Sequence, residues 1–292
     1  MKKLLFLILF IVVTAHVWSK ESDYVLPKEL TIALPKDGSV AMRWVAPPLA
    51  EDKVRKAALT DIKFRVAPDG AVWMAYDKNT MTNLLTGMDV NLAAPLSDFI
   101  WLDDGALLIS SKKTLGFIPE LKKDETPYQP ICMVDIEGSS LASDGKKALF
   151  IYGRDGVTKG YAVYERIAGS GVWRKIFISK VRIAGVCVYG GKAYIAAGRM
   201  IYELSLNDKK ARTVFAHPLD PLTGIAYSPD AGLFYVTGNG VGVVQNVAVE
   251  FIKCKGAQVA VKGNSLYLFL TDSLGVLRFD NIAGLTHPKP RG

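Results

Sequence analysis

The chain has 292 residues, 36 Lys and Arg against 28 Asp and Glu, a formal charge of +8, and half its residues hydrophobic. That apolar content excludes a disordered chain, and three cysteines are too few for a disulfide scaffold. Only one long apolar run occurs, at the N-terminus, so a polytopic membrane protein is also excluded.

The first segment reads as an export address. Lys2 and Lys3 precede the uninterrupted apolar stretch Leu4 to Val13, and Val17-Trp18-Ser19 suits cleavage before Lys20. The apolar run, about 15 residues, falls short of the ~20 needed to span a bilayer. Residues 1–19 are therefore expected to be a cleaved signal peptide, with an uncleaved anchor as the competing reading. The location implied is periplasmic or secreted, with no stable membrane insertion after cleavage. Removing Lys2 and Lys3 leaves +6 on the mature chain. Its densest basic cluster, Lys53, Arg55 and Lys56, adjoins Glu51 and Asp52 and reads as a solvated turn.

From about residue 60 one phrase recurs: a short apolar strand, a turn containing Asp-Gly or a similar pair, and a second apolar strand. Thr60 to Phe64 leads through Pro68-Asp69-Gly70 to Val72–Tyr76, and Ser97 to Trp101 leads through Asp103-Asp104-Gly105 to Leu107–Ile109. The pattern returns at Ser139–Ala142, Ala184–Val188, Thr223–Tyr227 and Gln258–Val261, each followed by its partner strand. Repeat starts fall near 60, 96, 138, 182, 221 and 256, a period of about 40. A third strand follows most pairs, and outer strands are expected at Ile131–Ile136, Trp173–Ile178 and Ala248–Ile252. Short Val-, Ile-, Tyr- and Phe-rich strands at this period predict an all-β, six-bladed β-propeller in a single domain over residues 20–292. The last repeat has three strands. Either Leu30–Leu34 or Ser39–Val45 is expected to supply the fourth and close the ring.

The strand-turn-strand phrase, clearest in Pro221-Leu222-Thr223-Gly224-Ile225-Ala226-Tyr227-Ser228-Pro229-Asp230, resembles the repeat of NHL propellers and of senescence-marker/gluconolactonase-like propellers. The lactonase branch implies a divalent metal held by an acidic residue and Asn/Asp side chains at the channel mouth. Here the corresponding positions hold Thr223 and Thr237-Gly238, and Thr60, Ser97, Ser139, Ala184 or Gln258 in the other repeats. Hydroxyls replace the amide and carboxylate oxygens that such a cation prefers.

First-strand starts and second-strand ends share one face of a propeller. They place Asp61, Asp77, Asp98, Lys112, Arg154, Asp155, Arg199, Asn239 and Asp272 on the candidate ligand face. The ring carries both signs of charge, which suits a polar ligand or a partner's loop. Asp61, Asp77 and Asp98 are the candidate carboxylates for calcium, and turn-forming side chains are the competing reading. His217 is the sole histidine of the repeat region, in a connection before Pro218 that suits a surface or capping role. Cys132, Cys187 and Cys254 fall on strands too far apart to bridge, so three unpaired thiols are expected. The aromatics alternate along strands and suit packing between blades. The reading is a monomeric, exported binding or scaffold protein that engages an unknown protein, peptide or small polar ligand. No catalytic set, no obligate cofactor and no nucleic-acid partner is expected. The alternative is a metal-dependent lactonase or hydrolase.

Overall fold

The computed structural model describes residues 30–35, 38–46, 62–75, 79–111, 113–121, 126–134, 136–146, 148–167, 171–244 and 248–286. The expected signal peptide and the cluster Lys53, Arg55 and Lys56 lie outside them.

Two short N-terminal strands, β1 (Thr31–Ile32) and β2 (Ala41–Ala46), precede the repeats. Blade 1 is β3 (Lys63–Val66), β4 (Val72–Ala75), β5 (Thr80–Asn83) and β6 (Met88–Asn91). Blade 2 is β7 (Asp98–Trp101), β8 (Leu107–Ser111), β9 (Thr114–Ile118) and β10 (Gln129–Met133). Blade 3 is β11 (Ile136–Ser143), β12 (Leu149–Asp155), β13 (Tyr161–Arg166) and β14 (Trp173–Ser179). Blade 4 is β15 (Ile183–Tyr189), β16 (Lys192–Ala197), β17 (Met200–Ser205) and β18 (Ala211–Ala216). Blade 5 is β19 (Leu222–Ser228), β20 (Gly232–Thr237), β21 (Gly240–Val244) and β22 (Ala248–Lys253). Blade 6 is β23 (Ala257–Lys262), β24 (Ser265–Leu270) and β25 (Gly275–Asp280), followed by a 3-10 turn at Ile282–Thr286.

Each blade is an antiparallel meander, and the innermost strands β3, β7, β11, β15, β19 and β23 touch in a closed ring. The recurring Asp-Gly turns have a direct cause. Asp69 Oδ1 accepts the Ala71 N–H and Asp104 Oδ1 the Ala106 N–H, while Gly70 holds a φ of 86° that a side chain would disfavour. Gly185 answers to a different demand: a Cβ there would lie 3.1 Å from the backbone nitrogen of Ile225, so its absence lets β15 and β19 approach.

Both N-terminal candidates are used. β2 supplies the fourth strand of blade 6, pairing antiparallel with β25, and β1 adds a fifth strand to the edge of blade 5 through Thr31↔Lys253 and Ile32↔Ile252. In the closing pair Arg43 stands opposite Arg278, and Asp280 takes up both charges, at 3.6 Å and 2.6 Å. Ser265 Oγ donates to the same carboxylate, and Arg278 also lies over the Tyr267 ring. Several boundaries shift from the sequence reading, and one of them moves a residue between blades. Ile136 does not end the outer strand of blade 2 but begins β11, opposite Asp155, because its fully buried side chain packs between blades 2 and 3.

The core is six apolar wedges, one per seam between neighbouring blades. Aromatic pairs fill most of them: Phe64–Phe269, Trp73–Trp101, Phe177–Tyr202, Tyr194–Tyr227 and Phe251–Phe279. The seam between blades 2 and 3 is largely aliphatic, built on Leu108, Leu115, Ile136, Leu141 and Ile151. The three cysteines are unpaired, with Cys254 buried and Cys132 and Cys187 partly so. Among the described residues, no helix is long and apolar enough to cross a membrane.

Candidate functional site

The inner strands all begin at one end of the channel, called here the upper end. A cavity of about 540 Å³ runs along the axis, lined by residues of the inner strands and the adjoining turns. Toward its upper end stand Lys63, Ser140, Arg182, Thr223, Thr237, Gln258 and Thr271; toward the lower end, Tyr189, Tyr227 and Val261.

Strand alternation decides what enters the channel. Phe64 turns toward blade 6, fully buried against Phe269, so its neighbours Lys63 and Arg65 take the other face of the strand, toward blade 2, and also line the channel. Arg65 Nη2 donates to Asp98 Oδ2 at 2.6 Å across the seam between blades 1 and 2. Lys63 Nζ reaches past blade 2 to donate to Ser140 Oγ of blade 3 at 3.3 Å. Arg182, just before β15, is exposed at the same end, and no described carboxylate forms an ion pair with it.

Asp98 is fully buried, and its oxygens are already engaged. Besides Arg65, Oδ2 accepts the Leu141 N–H of blade 3 at 2.9 Å and Oδ1 accepts the Phe99 N–H. Ser110 Oγ donates to the Ser139 carbonyl across the same seam. Gln258 does the matching work where the ring closes. Its Oε1 accepts the Phe64 N–H and its Nε2 donates to the Ile62 carbonyl, tying blade 6 to blade 1. Tyr152 faces this polar cluster. Burial, then the Asp98 charge, pushes its phenol up to about 12, so it stays protonated at neutral pH.

The other candidates divide. Asp155 is buried at the end of β12, where it accepts from Lys175 Nζ at 2.5 Å, Thr158 Oγ1 at 2.6 Å, the Val157 N–H and Tyr164 OH. The Lys175 hydrogen bond above all holds its carboxyl well below the usual carboxylate range. Arg154 is exposed beside it. Arg199 Nη1 donates to the Pro218 carbonyl, and Asn239 Nδ2 donates to Asp220 Oδ2, so both fasten the 217–220 connection to the rims of blades 4 and 5. His217 lies in that connection, where its Nδ1 accepts the Asp220 N–H and its ring packs near Phe215 and Tyr235. Asp272 is exposed on the turn after β24, and its charge adds to the burial that raises the Cys254 thiol to about 11. Asp61, Asp77 and Lys112 lie outside the described residues, so the proposed carboxylate trio is represented by Asp98 alone. No group of three metal-ligating side chains occurs among the described residues.

Lys63, Arg65, Ser140 and Arg182 were not singled out from the sequence. The alternation Lys63-Phe64-Arg65 carried the signal for the first two, since a Phe64 buried against blade 6 puts both cations on the strand's other face.

No family profile and no curated protein matches the sequence. Solved structures do resemble the fold. A candidate gluconolactonase superposes with a TM-score of 0.60 at 15% identity, over 86% of this chain and 97% of that one. A catalytically inactive histidine-to-alanine variant of virginiamycin B lyase from Staphylococcus aureus, with quinupristin, gives 0.54 at 15%, over 74% and 79%. A nidogen/laminin complex gives 0.51 at 13%, over 71% and 84%. The chain thus has a six-bladed β-propeller fold, similar to those of the candidate gluconolactonase and virginiamycin B lyase structures.

Proposed function

We propose that this protein is an exported, monomeric binding propeller that receives a polar ligand or a partner's loop at the upper end of its channel. The observation that carries the reading is the division of labour at that end. Of the three candidate carboxylates the one described, Asp98, has its oxygens committed to Arg65 and two backbone N–H groups, while the channel beside it keeps about 540 Å³ of open, polar-lined space. A divalent cation needs several free oxygen ligands, and Asp98 offers it little. His217 supports the same view: it is held at the rim by the Asp220 N–H and is not among the channel-lining residues. Fold likeness to both enzymes and a binding complex is neutral between the two classes.

The test uses the purified mature chain. A panel of lactones is assayed with and without chelator, alongside thermal shift with small polar compounds. The expected result is no turnover and a raised melting temperature with some of the compounds. Chelator-sensitive lactone hydrolysis with stoichiometric bound metal would overturn the reading in favour of a metal-dependent lactonase.

A further inference from the structure

We infer that the upper channel is a binding site for a small hydroxylated anion, a sugar acid or a sugar phosphate; this rests on the binding-protein reading above. Three observations converge. The first is charge. Among the described residues, the charged side chains lining the cavity are Lys63, Arg65 and Arg182. Asp98 offsets Arg65 at 2.6 Å, which leaves Lys63 and Arg182 as the pair with no carboxylate partner among the described residues. Lys63 begins the inner strand of blade 1 and Arg182 immediately precedes that of blade 4. In a ring of six these blades are opposite, and Lys63 extends across the opening toward blade 3, so the two cations enter the same opening. Within a walled cleft their fields add and draw an anion inward.

The second observation is the hydrogen-bonding surface between them. Ser140, Thr223 and Thr271 bring hydroxyls from blades 3, 5 and 6, and Lys63 already donates to Ser140 Oγ at 3.3 Å. Hydroxyls both donate and accept, which suits a ligand carrying hydroxyls of its own. The third is size. A cavity of about 540 Å³ falls within the range of small-molecule sites and admits a monosaccharide with an anionic substituent.

Among the described residues, the other acidic groups at this end are not among those lining the cavity. Asp220 is engaged by Asn239, Asp155 by Lys175, and Asp272 lies on the outer turn of blade 6. The lower end is organised differently: its charges pair with one another, Lys262 with Asp103 and Lys192 with Glu203, and Tyr189 and Tyr227 stack at 4.9 Å. The anion preference therefore belongs to one end of the channel.

The experiment measures binding of D-glucuronate, glucose 6-phosphate and glucose to the full mature chain by calorimetry, at concentrations up to about 10 mM. At least one anion is expected to bind while glucose does not, and the stronger of the two tells carboxylate from phosphate. Lys63→Met and Arg182→Gln, each checked for an unchanged melting profile, are expected to weaken binding by about tenfold or more. Arg212→Gln, on the outer strand of blade 4, is expected to leave it unchanged. Raising the salt is expected to weaken the wild-type complex. Glucose binding as tightly as the anions overturns the inference and leaves the binding-protein reading standing. Binding of no probe, or anion binding that survives both Lys63→Met and Arg182→Gln, also overturns it. Lactone turnover without a stable anion complex overturns both readings.

Discussion

Two buried carboxylates sit near the upper face, and they do different work. Asp98 joins elements that are distant in the chain: Arg65 lies 33 residues before it and Leu141 lies 43 after it, so one side chain ties three blades. Asp155 gathers partners from within its own blade, none further than Lys175, 20 residues away. Both are fully occupied, yet one holds a seam of the ring and the other shapes a hairpin. Burial of an acidic residue near a channel mouth is therefore no measure of its availability to a ligand.

The comparison breaks most visibly with Asp98→Ala. It leaves Arg65 and the Leu141 N–H without their acceptor, and a loss of about 3–5 kcal/mol is expected in denaturant melts. Hydrogen exchange should rise on both sides of the seam, in β3, β7 and β11. Asp155→Ala is expected to cost about 2 kcal/mol, since Lys175 can turn to water. Its exchange should quicken in β12 to β14 and leave blades 1 and 2 unchanged. Equal losses, or equally wide exchange, would erase the distinction.

Acid sharpens the same contrast. Because the folded-state pKa of Asp155 is depressed, its contribution is fully present above the ordinary carboxylate range. It is lost as pH falls below that range toward the folded value. Wild-type stability should drop more steeply than that of Asp155→Asn over this interval, measured as the melting temperature against pH.

Gln258→Ala tests the seam principle where the ring closes. Removing an uncharged amide that bonds both Ile62 and Phe64 is expected to cost about 1–2 kcal/mol, less than loss of the charged Asp98. The smallest effect, about 1 kcal/mol, is expected from Asp280→Asn, whose arginines are partly solvated.

Much of the ring was legible in the sequence because a period-2 pattern repeated every ~40 residues has few other solutions. The six inner strands and the Asp-Gly turns follow from it. Ile136 was misplaced because an apolar residue reads alike in an outer strand and an inner one; only the seam it fills decides between them. The closing strand was legible as a pair of alternatives, and the sequence held no sign that both would be used. The site was less legible. Asp98 looks like any turn aspartate until Leu141 and Arg65 are brought beside it, and no spacing rule links residues 65, 98 and 141. Arg182 resembles an ordinary loop cation until the ring sets it opposite Lys63.

The N-terminal strand of blade 6 has a consequence in time. Asn281 Nδ2 donates to the Ser39 carbonyl across 242 residues of chain, and Arg43 meets Arg278 over a similar gap. The blades can zip from neighbouring hairpins, but this contact forms only when the rest of the ring has brought its partners together, and long-range pairings of this kind are slow. Interactions made after the folding barrier govern how fast a protein comes apart. The small equilibrium cost expected for Asp280→Asn should therefore surface mainly as faster unfolding, with the refolding rate little changed. A chain that joins first strand to last keeps its lifetime in that join.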